Sequence, residues 1–303
     1  MPKVIIDADP GVDDAFAIIL ACKNKLIDLM GITVVAGNCS LDNGIRNSFK
    51  LLDMCDKYYI PVYKGAEVSL ETRDINAAHV HGENGFGDFE YEPIVRSVNG
   101  DAVEYLINTV NENPGQIDVV AIGPLTNIAL AIMKDKNFVK NIKGLYIMGS
   151  SKVKGNISKF SEFNFYQDPH AADIVFKSDI ANINVFGLNV TTKLTLDEKY
   201  EQLLQENSTN EIADILYKIT RKGSEFDRLM GYDGLHLNDP LVIAYLINSN
   251  VTKMTPVKIN IVTEGDEIGN SIIRMVDESN INFAYEVDKE LFYEILFKAI
   301  LEE

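Results

Sequence analysis

Positive charge is scarce in this sequence. Against 45 Asp and Glu, its 303 residues carry 28 Lys and Arg, a formal net charge of −17 at pH 7. Contacts to nucleic-acid phosphates need clustered Lys and Arg, and so does an anionic membrane surface, so neither partner is expected. Cysteine is scarce too. Cys22, Cys39 and Cys55 are scattered and odd in number, with no CxxC pair and no disulfide framework, which fits a reducing compartment. No apolar run reaches the length of a membrane span, and the first strand begins almost at once, with no signal-peptide pattern before it. A soluble, cytoplasmic protein is expected. Internal repeats, low-complexity tracts and a clear domain boundary are also missing. Since 46% of the residues are hydrophobic and 24% charged, there is ample material for a core, and a single α/β domain over 1–303 is expected.

What is present is an alternation of apolar strands and amphipathic helices. Strands are read at Val4–Ala8, Leu29–Asn38, Pro61–Gly65, Ile117–Ile122, Leu145–Ser150 and Asn182–Phe186. Two more follow near Val257–Val262 and Ser271–Val276. Helices fall at Ala15–Cys22, Asn43–Lys57, Asp101–Asn111, His170–Phe176, Leu241–Leu246 and Lys289–Leu301, with one after Thr126 and two between Asp197 and Leu229. Continuous apolar strands alternating with helices predict a parallel sheet covered on both faces. Between Ala66 and Asn99 periodicity fades, and His79, His81, Gly82, Gly85 and Gly87 favour a functional loop there.

The chain is organised around Asp7-Ala8-Asp9-Pro10-Gly11-Val12-Asp13-Asp14-Ala15, at the end of the first strand. In an open α/β sheet, ligands bind at the carboxyl ends of strands. Aspartates there can cap a helix and complement its dipole, which accounts for one or two of them. Four within eight residues repel one another and raise one another's pKa values, a conflict that a hard cation with oxygen ligands removes. The bland alternative is an acidic cap facing solvent. Further polar residues stand after strands or before helices: Asn38, Thr126, Met148, Glu162, Asn164 and Asp239. Taken singly, Asn38, Thr126 and Asp239 read as turn or cap residues, and Pro240 makes Asp239 an obvious N-cap. Their joint occurrence beside the aspartates points to one converging site.

The joint pattern resembles the nucleoside hydrolase family over about residues 4 to 250. It comprises Asp7-Ala-Asp9-Pro-Gly11-Val-Asp13-Asp14-Ala15, Val-Ala-Gly-Asn38, His81-Gly-Glu-Asn-Gly-Phe-Gly, Gly-Pro-Leu-Thr126-Asn, Ile-Met148-Gly, Glu162-Phe-Asn164-Phe-Tyr-Gln-Asp-Pro and Asp239-Pro-Leu, in the family's order. The resemblance implies an open, mostly parallel Rossmann-like α/β sheet with helices on both faces and the site at the carboxyl ends of the strands. It implies hydrolysis of the N-glycosidic bond of small-molecule ribonucleosides for nucleoside salvage, with a bound Ca²⁺, in a homodimer or homotetramer. Asp9, Asp14, the Thr126 backbone carbonyl and Asp239 would hold the calcium. The metal lowers the pKa of a water, and Asp9 would accept its proton. Asp13, Asn38, Met148, Glu162 and Asn164 would surround the ribose. Asp7 would brace the others.

One departure matters. Many family members have His-Asp before Pro, and that histidine is associated with the leaving base. Here the triplet is Asn238-Asp239-Pro240, and Asn has no titrating proton to give. His81 is the expected substitute donor, with a satisfied loop histidine as the plain alternative, and His236 lies two residues before Asn238. Two other functions stay open at this point. Asp7-Ala-Asp9 after a strand is similar to the start of haloacid-dehalogenase-type phosphatases, which leaves Asp13, Asp14, Thr126 and Glu162 unexplained. A nucleoside- or ribose-binding protein without turnover is the other.

Overall fold

The structure is a computed structural model and describes residues 1–302 apart from 72–74, 76, 93 and 95. Those six belong to the 66–99 stretch read as a functional loop, and that part of the expectation lies outside the described residues. The strands are β1 (Lys3–Ala8), β2 (Asp28–Val34), β3 (Val62–Lys64), β4 (Ile117–Ala121), β5 (Gly144–Met148), β6 (Ile183–Phe186), β7 (Thr195–Leu196), β8 (Leu235–His236), β9 (Thr252–Ile261), β10 (Ser271–Met275) and β11 (Ile281–Val287). The helices are α1 (Val12–Lys23), α2 (Leu41–Met54), α3 (Ala78–His81), α4 (Ala102–Glu112), α5 (Thr126–Lys134), α6 (Lys136–Asn141), α7 (Phe163–Gln167), α8 (Pro169–Phe176), α9 (Leu188–Thr191), α10 (Glu198–Glu206), α11 (Glu211–Leu229), α12 (Pro240–Ile247) and α13 (Lys289–Leu301).

Among the described residues, nine strands form one sheet in the order β10-β9-β11-β6-β5-β4-β1-β2-β3, and β7 pairs with β8 beside it. β1 lies between β2 and β4 and runs parallel to both. The chain builds outward to β3 on one side of β1 and to β6 on the other. At such a reversal the loops after neighbouring strands part to opposite faces and leave a crevice at their carboxyl ends. Side chains alternate across the sheet with period two. Val4, Ile6 and Ala8 join one apolar cluster with Val120 and Phe16. Ile5 joins the other with Val119, Ala121 and Leu145. α1, α2, α11, α12 and α13 cover the first face, and α4, α5 and α8 the second. This is the expected parallel α/β sheet.

The sequence reading places two strands late in the chain, and the structure has three. β11, with alternating Ile281, Phe283 and Tyr285, inserts parallel to β6 and antiparallel to β9. β9 starts at Thr252, ahead of the strand expected near Val257–Val262, and runs through Pro256. Among the described residues no helix is long and apolar enough to cross a membrane.

Phe16, fully buried in α1, anchors the larger cluster. Truncating a buried aromatic loses its transfer energy and leaves a cavity, so Phe16→Ala should lower stability by about 3–5 kcal/mol. Denaturant unfolding measures this, and a loss under about 1 kcal/mol would contradict the packing described.

Candidate active site

The turn leaving β1 sets the site. α1 begins at Val12, three residues earlier than its sequence pattern predicts, with Gly11 as its N-cap. Asp13 and Asp14 therefore stand in the first helical turn, where carboxylates complement the helix dipole. Asp14 Oδ2 accepts from the Gly11 N–H at 3.0 Å and from Asn38 Nδ2 at 2.9 Å. Asp9 Oδ2 accepts from the Asn38 N–H at 2.7 Å. Asp9 Oδ1 and Asp14 Oδ1 remain, both buried and without a hydrogen-bond partner. The Asp9 carboxylate lies between two glycines. A Cβ on Gly123 would stand 2.8 Å from Oδ1, and one on Gly37 would collide with Oδ2. Only residues without a side chain let both turns close on this group.

Asp239 is not the plain N-cap that Pro240 suggests when the residue is taken singly. It holds the N-cap position of α12, but with helical dihedrals (φ −72°, ψ −39°) and no side-chain cap bond. Capping side chains reach the first free N–H groups from an extended backbone. The Asp239 carboxylate instead joins Asp13 and Asp14, with one oxygen of each within 4.8 Å of the others. Asp9 sits just outside this triad yet repels Asp14 and Asp239 electrostatically. Burial, and then mutual repulsion, push Asp14 up to about 7 and raise Asp9 and Asp239 well above the usual carboxylate range. Packed carboxylates with unpartnered buried oxygens form a hard, oxygen-only donor set, and that chemistry fits a divalent cation such as Ca²⁺ or Mg²⁺.

Asp7 takes no direct part. It is fully buried, and its Oδ1 accepts from Thr33 Oγ1 at 2.5 Å and Asn127 Nδ2 at 2.8 Å. A phosphorylated nucleophile must meet its substrate, so the phosphatase reading fails on this burial. Thr126 opens α5 and donates through Oγ1 to Asp168 Oδ2 at 2.7 Å. Asp168 also caps α8 and accepts from the Leu70 N–H, tying three segments together.

A cavity of about 450 Å³ opens beside the cluster. Asp13, Asn38, His81, Met148, Glu162, Asn164, Asn238 and Asp239 line it, as one converging site requires. Asp9, Asp14 and Thr126 do not reach its wall. A larger hollow of about 820 Å³ near Cys22 and Lys57 shares no residue with it. Glu162 caps α7, a five-residue helix read from sequence as loop, and accepts the N–H groups of Asn164 (2.9 Å) and Phe165 (3.3 Å). The Ser150 N–H donates to it as well, while burial raises it to about 7. Ser150 has φ +81°, a left-handed strain of the kind concentrated at functional sites. Asn164 Nδ2 donates to the carbonyls of Ile122 (2.9 Å) and Met148 (3.2 Å), bracketing the ends of β4 and β5.

His81 is not the free donor expected. It ends the short helix α3, is buried, and its Nδ1 accepts the Val12 N–H at 3.0 Å. A ring nitrogen that accepts from an amide carries no proton, and burial lowers the His81 pKa below its ordinary value. Asn238 Nδ2 donates to Asp13 Oδ2 at 3.3 Å. Asp227, which sequence reasoning did not single out, accepts from His236 Nδ1 at 2.8 Å and from the His236 N–H at 3.0 Å. Both residues also line the cavity.

The profile of the inosine-uridine preferring nucleoside hydrolases matches residues 4–294. The chain is 34% identical to a probable uridine nucleosidase 2 of Oryza sativa subsp. japonica, over 98% of this chain and 94% of the relative. It is 36% identical to a pyrimidine-specific ribonucleoside hydrolase of Escherichia coli, covering 83% of this chain and 80% of the relative. Its structure is similar to a purine-preferring ribonucleoside hydrolase from Gardnerella vaginalis, with a TM-score of 0.92, 28% identity and 98% of each chain covered.

Because burial and repulsion raise the carboxyl groups, their protons must leave before a cation can bind. An unfolded Asp titrates near about 4, whereas Asp14 in the fold is raised to about 7. In chelator-treated protein its contribution to stability is therefore full below pH 4 and fades as pH rises through 7. Added divalent cation reverses that loss, so the Tm gain on cation addition should grow from pH 5 to 8. A gain independent of pH, measured by differential scanning fluorimetry, would contradict this account.

Proposed function

Because the chain belongs to the inosine-uridine preferring nucleoside hydrolase family, and is thereby a hydrolase of N-glycosidic bonds in ribonucleosides, we propose that this cavity is where that bond is cut, with calcium as the resident ion. The observation that carries the reading is the packing of Asp13, Asp14 and Asp239, with the unpartnered Oδ1 atoms of Asp9 and Asp14, beside a cavity of about 450 Å³ at the sheet's switch point. Asp9, Asp14, Asp239 and the Thr126 carbonyl would hold the ion. When bound, it supplies a water whose proton is easily lost.

The residues of the chain do the rest. Breaking the ribosyl–base bond builds positive charge on the sugar, and the surrounding carboxylates stabilise that charge where it develops. Asp9 is anchored through Oδ2 by the Asn38 amide, so Oδ1 is the atom that takes the proton of the attacking water. The water oxygen bonds to C1′, and the electrons of the C1′–N bond leave with the base. Asn38 and Asn164 have their amide nitrogens bonded to protein groups, so they offer carbonyl oxygens to sugar hydroxyls. Asp13, Met148 and Glu162 line the same wall. The products, ribose and free base, are what nucleoside salvage consumes, which supports a role there. A nucleoside-binding protein without turnover is the remaining alternative, and ribose release from a panel of nucleosides separates the two.

Elemental analysis of protein purified without chelator should find one calcium per chain. A stoichiometry near zero, with activity retained after refolding in EDTA, would overturn the metal assignment. Asp13→Ala should lower kcat/KM by about 10²- to 10³-fold for purine and pyrimidine nucleosides alike. Buried groups that bond a hydroxyl reject an analogue lacking it, so 2′-deoxyuridine should be a far poorer substrate than uridine. Equal kcat/KM for the two would contradict the assignment of Asp13, Glu162 and Asn164 to the sugar.

A further inference from the structure

The departing base needs a proton, and neither residue expected to give it is fitted for the task. Asn238 has no titrating group, and its amide nitrogen is bonded to Asp13. The Nδ1 of His81 is occupied by the first N–H of α1, which keeps that ring neutral. A third ring stands on the same wall. His236 is in β8, which pairs with β7 through Thr195, so its backbone is fixed. Asp227 lies near the end of α11 and is buried. One of its oxygens receives both the backbone N–H and the Nδ1 of His236. A carboxylate oxygen can only accept, so Nδ1 carries the hydrogen. Nε2 is left buried, with no hydrogen-bond partner among the described residues. Tyr232, itself half exposed, packs edge-on against the ring at 4.4 Å. A buried polar nitrogen without a partner, on a ring lining a binding cavity, calls for a partner from the ligand.

We propose that His236, oriented by Asp227, is the acid that protonates the departing base, in the place the family gives to a histidine at position 238. This rests on the hydrolase reading above. The protonated ring holds one N–H against the Asp227 carboxylate, which stabilises the imidazolium as carboxylates do in other acid–base dyads. As the C1′–N bond breaks, its electron pair passes to the base. The base takes the Nε2 proton, and His236 is left neutral. The attacking water supplies the oxygen on C1′ and gives its proton to Asp9. Release of that proton to solvent and uptake of one by His236 restore the site, so the sum is one water consumed per bond cut. His236 is the catalytic residue, and Asp227 is a positioning residue that acts through it.

The test is kcat for uridine, inosine and p-nitrophenyl riboside in the parent chain, His236→Gln and Asp227→Asn. The nitrophenolate departs without a proton and so isolates the sugar half of the site. General acid catalysis contributes about 10²- to 10⁴-fold, so His236→Gln should lose that much on the natural nucleosides and change little on the riboside. Asp227→Asn should show the same split, more weakly, because it removes the charge and leaves the donor. Equal losses on both substrate types, or none, would overturn the proposal. If His236→Gln does not fold, Asp227→Asn decides by the same criterion. A parent chain that releases ribose from none of the three substrates sinks the hydrolase reading itself, which separates that failure from a failure of the dyad alone.

Discussion

Carboxylates buried side by side resist both burial and one another, and the site is arranged around that resistance. The charge of Asp13 reaches Asp9, Asp14, Asp239 and Glu162, and Asp239 also feels Asp14, Asp9 and Glu162. Moving a single carboxylate out of water is costly, and an unpaired charge in the interior shifts its pKa before it stays ionised. The fold answers with donors: Gly11 and Asn38 for Asp14, Asn38 again for Asp9, and the N–H groups of Ser150, Asn164 and Phe165 for Glu162. These bonds satisfy some oxygens and leave others bare. The bare oxygens are the donor set a hard cation needs, which an acidic patch facing solvent does not offer.

The sheet supplies the geometry. Neighbouring parallel strands end at one edge, so residues over a hundred positions apart meet there, as Asp7 and Asn127 do. A surrounding ring of bonds then fixes the spacing. Thr33 and Asn127 hold Asp7, Thr126 holds Asp168, and Asn164 ties the ends of β4 and β5. None of these contacts involves substrate; they brace the strand ends and turns that carry Asp9, Thr126 and Asn164.

Much of this was legible in the sequence. The strands from β1 to β6 are short and mostly apolar runs set between helical patterns, so they stand out. The acidic motif marks its own position by excess charge. What escaped was short or non-local. α7 has five residues, too few for a helical period, and β11 is only partly buried. Asp239 was legible only through the joint pattern, since the proline after it suggests a cap, while its helical backbone leaves the side chain free for the cluster. The Asp227–His236 pair spans nine residues across a helix end, a turn and a two-residue strand, a separation with no characteristic spacing to detect.

The two ends of the cavity are built on different scaffolds. The end proposed for the sugar stands on the large sheet, with the Asp9 carboxylate clasped between Gly37 and Gly123 so closely that neither turn admits a side chain. The end proposed for the base, with Asp227, Tyr232 and His236, hangs on the last turn of α11 and the small β7–β8 pair outside that sheet. Substitutions there leave the glycine clasp and its ligands untouched. Lineages of this fold can therefore exchange one leaving-group device for another, or retune their choice of base, while the ribose-handling half stays fixed. An engineer seeking new base specificity has the segment from Phe226 to His236 as a separable region to redesign.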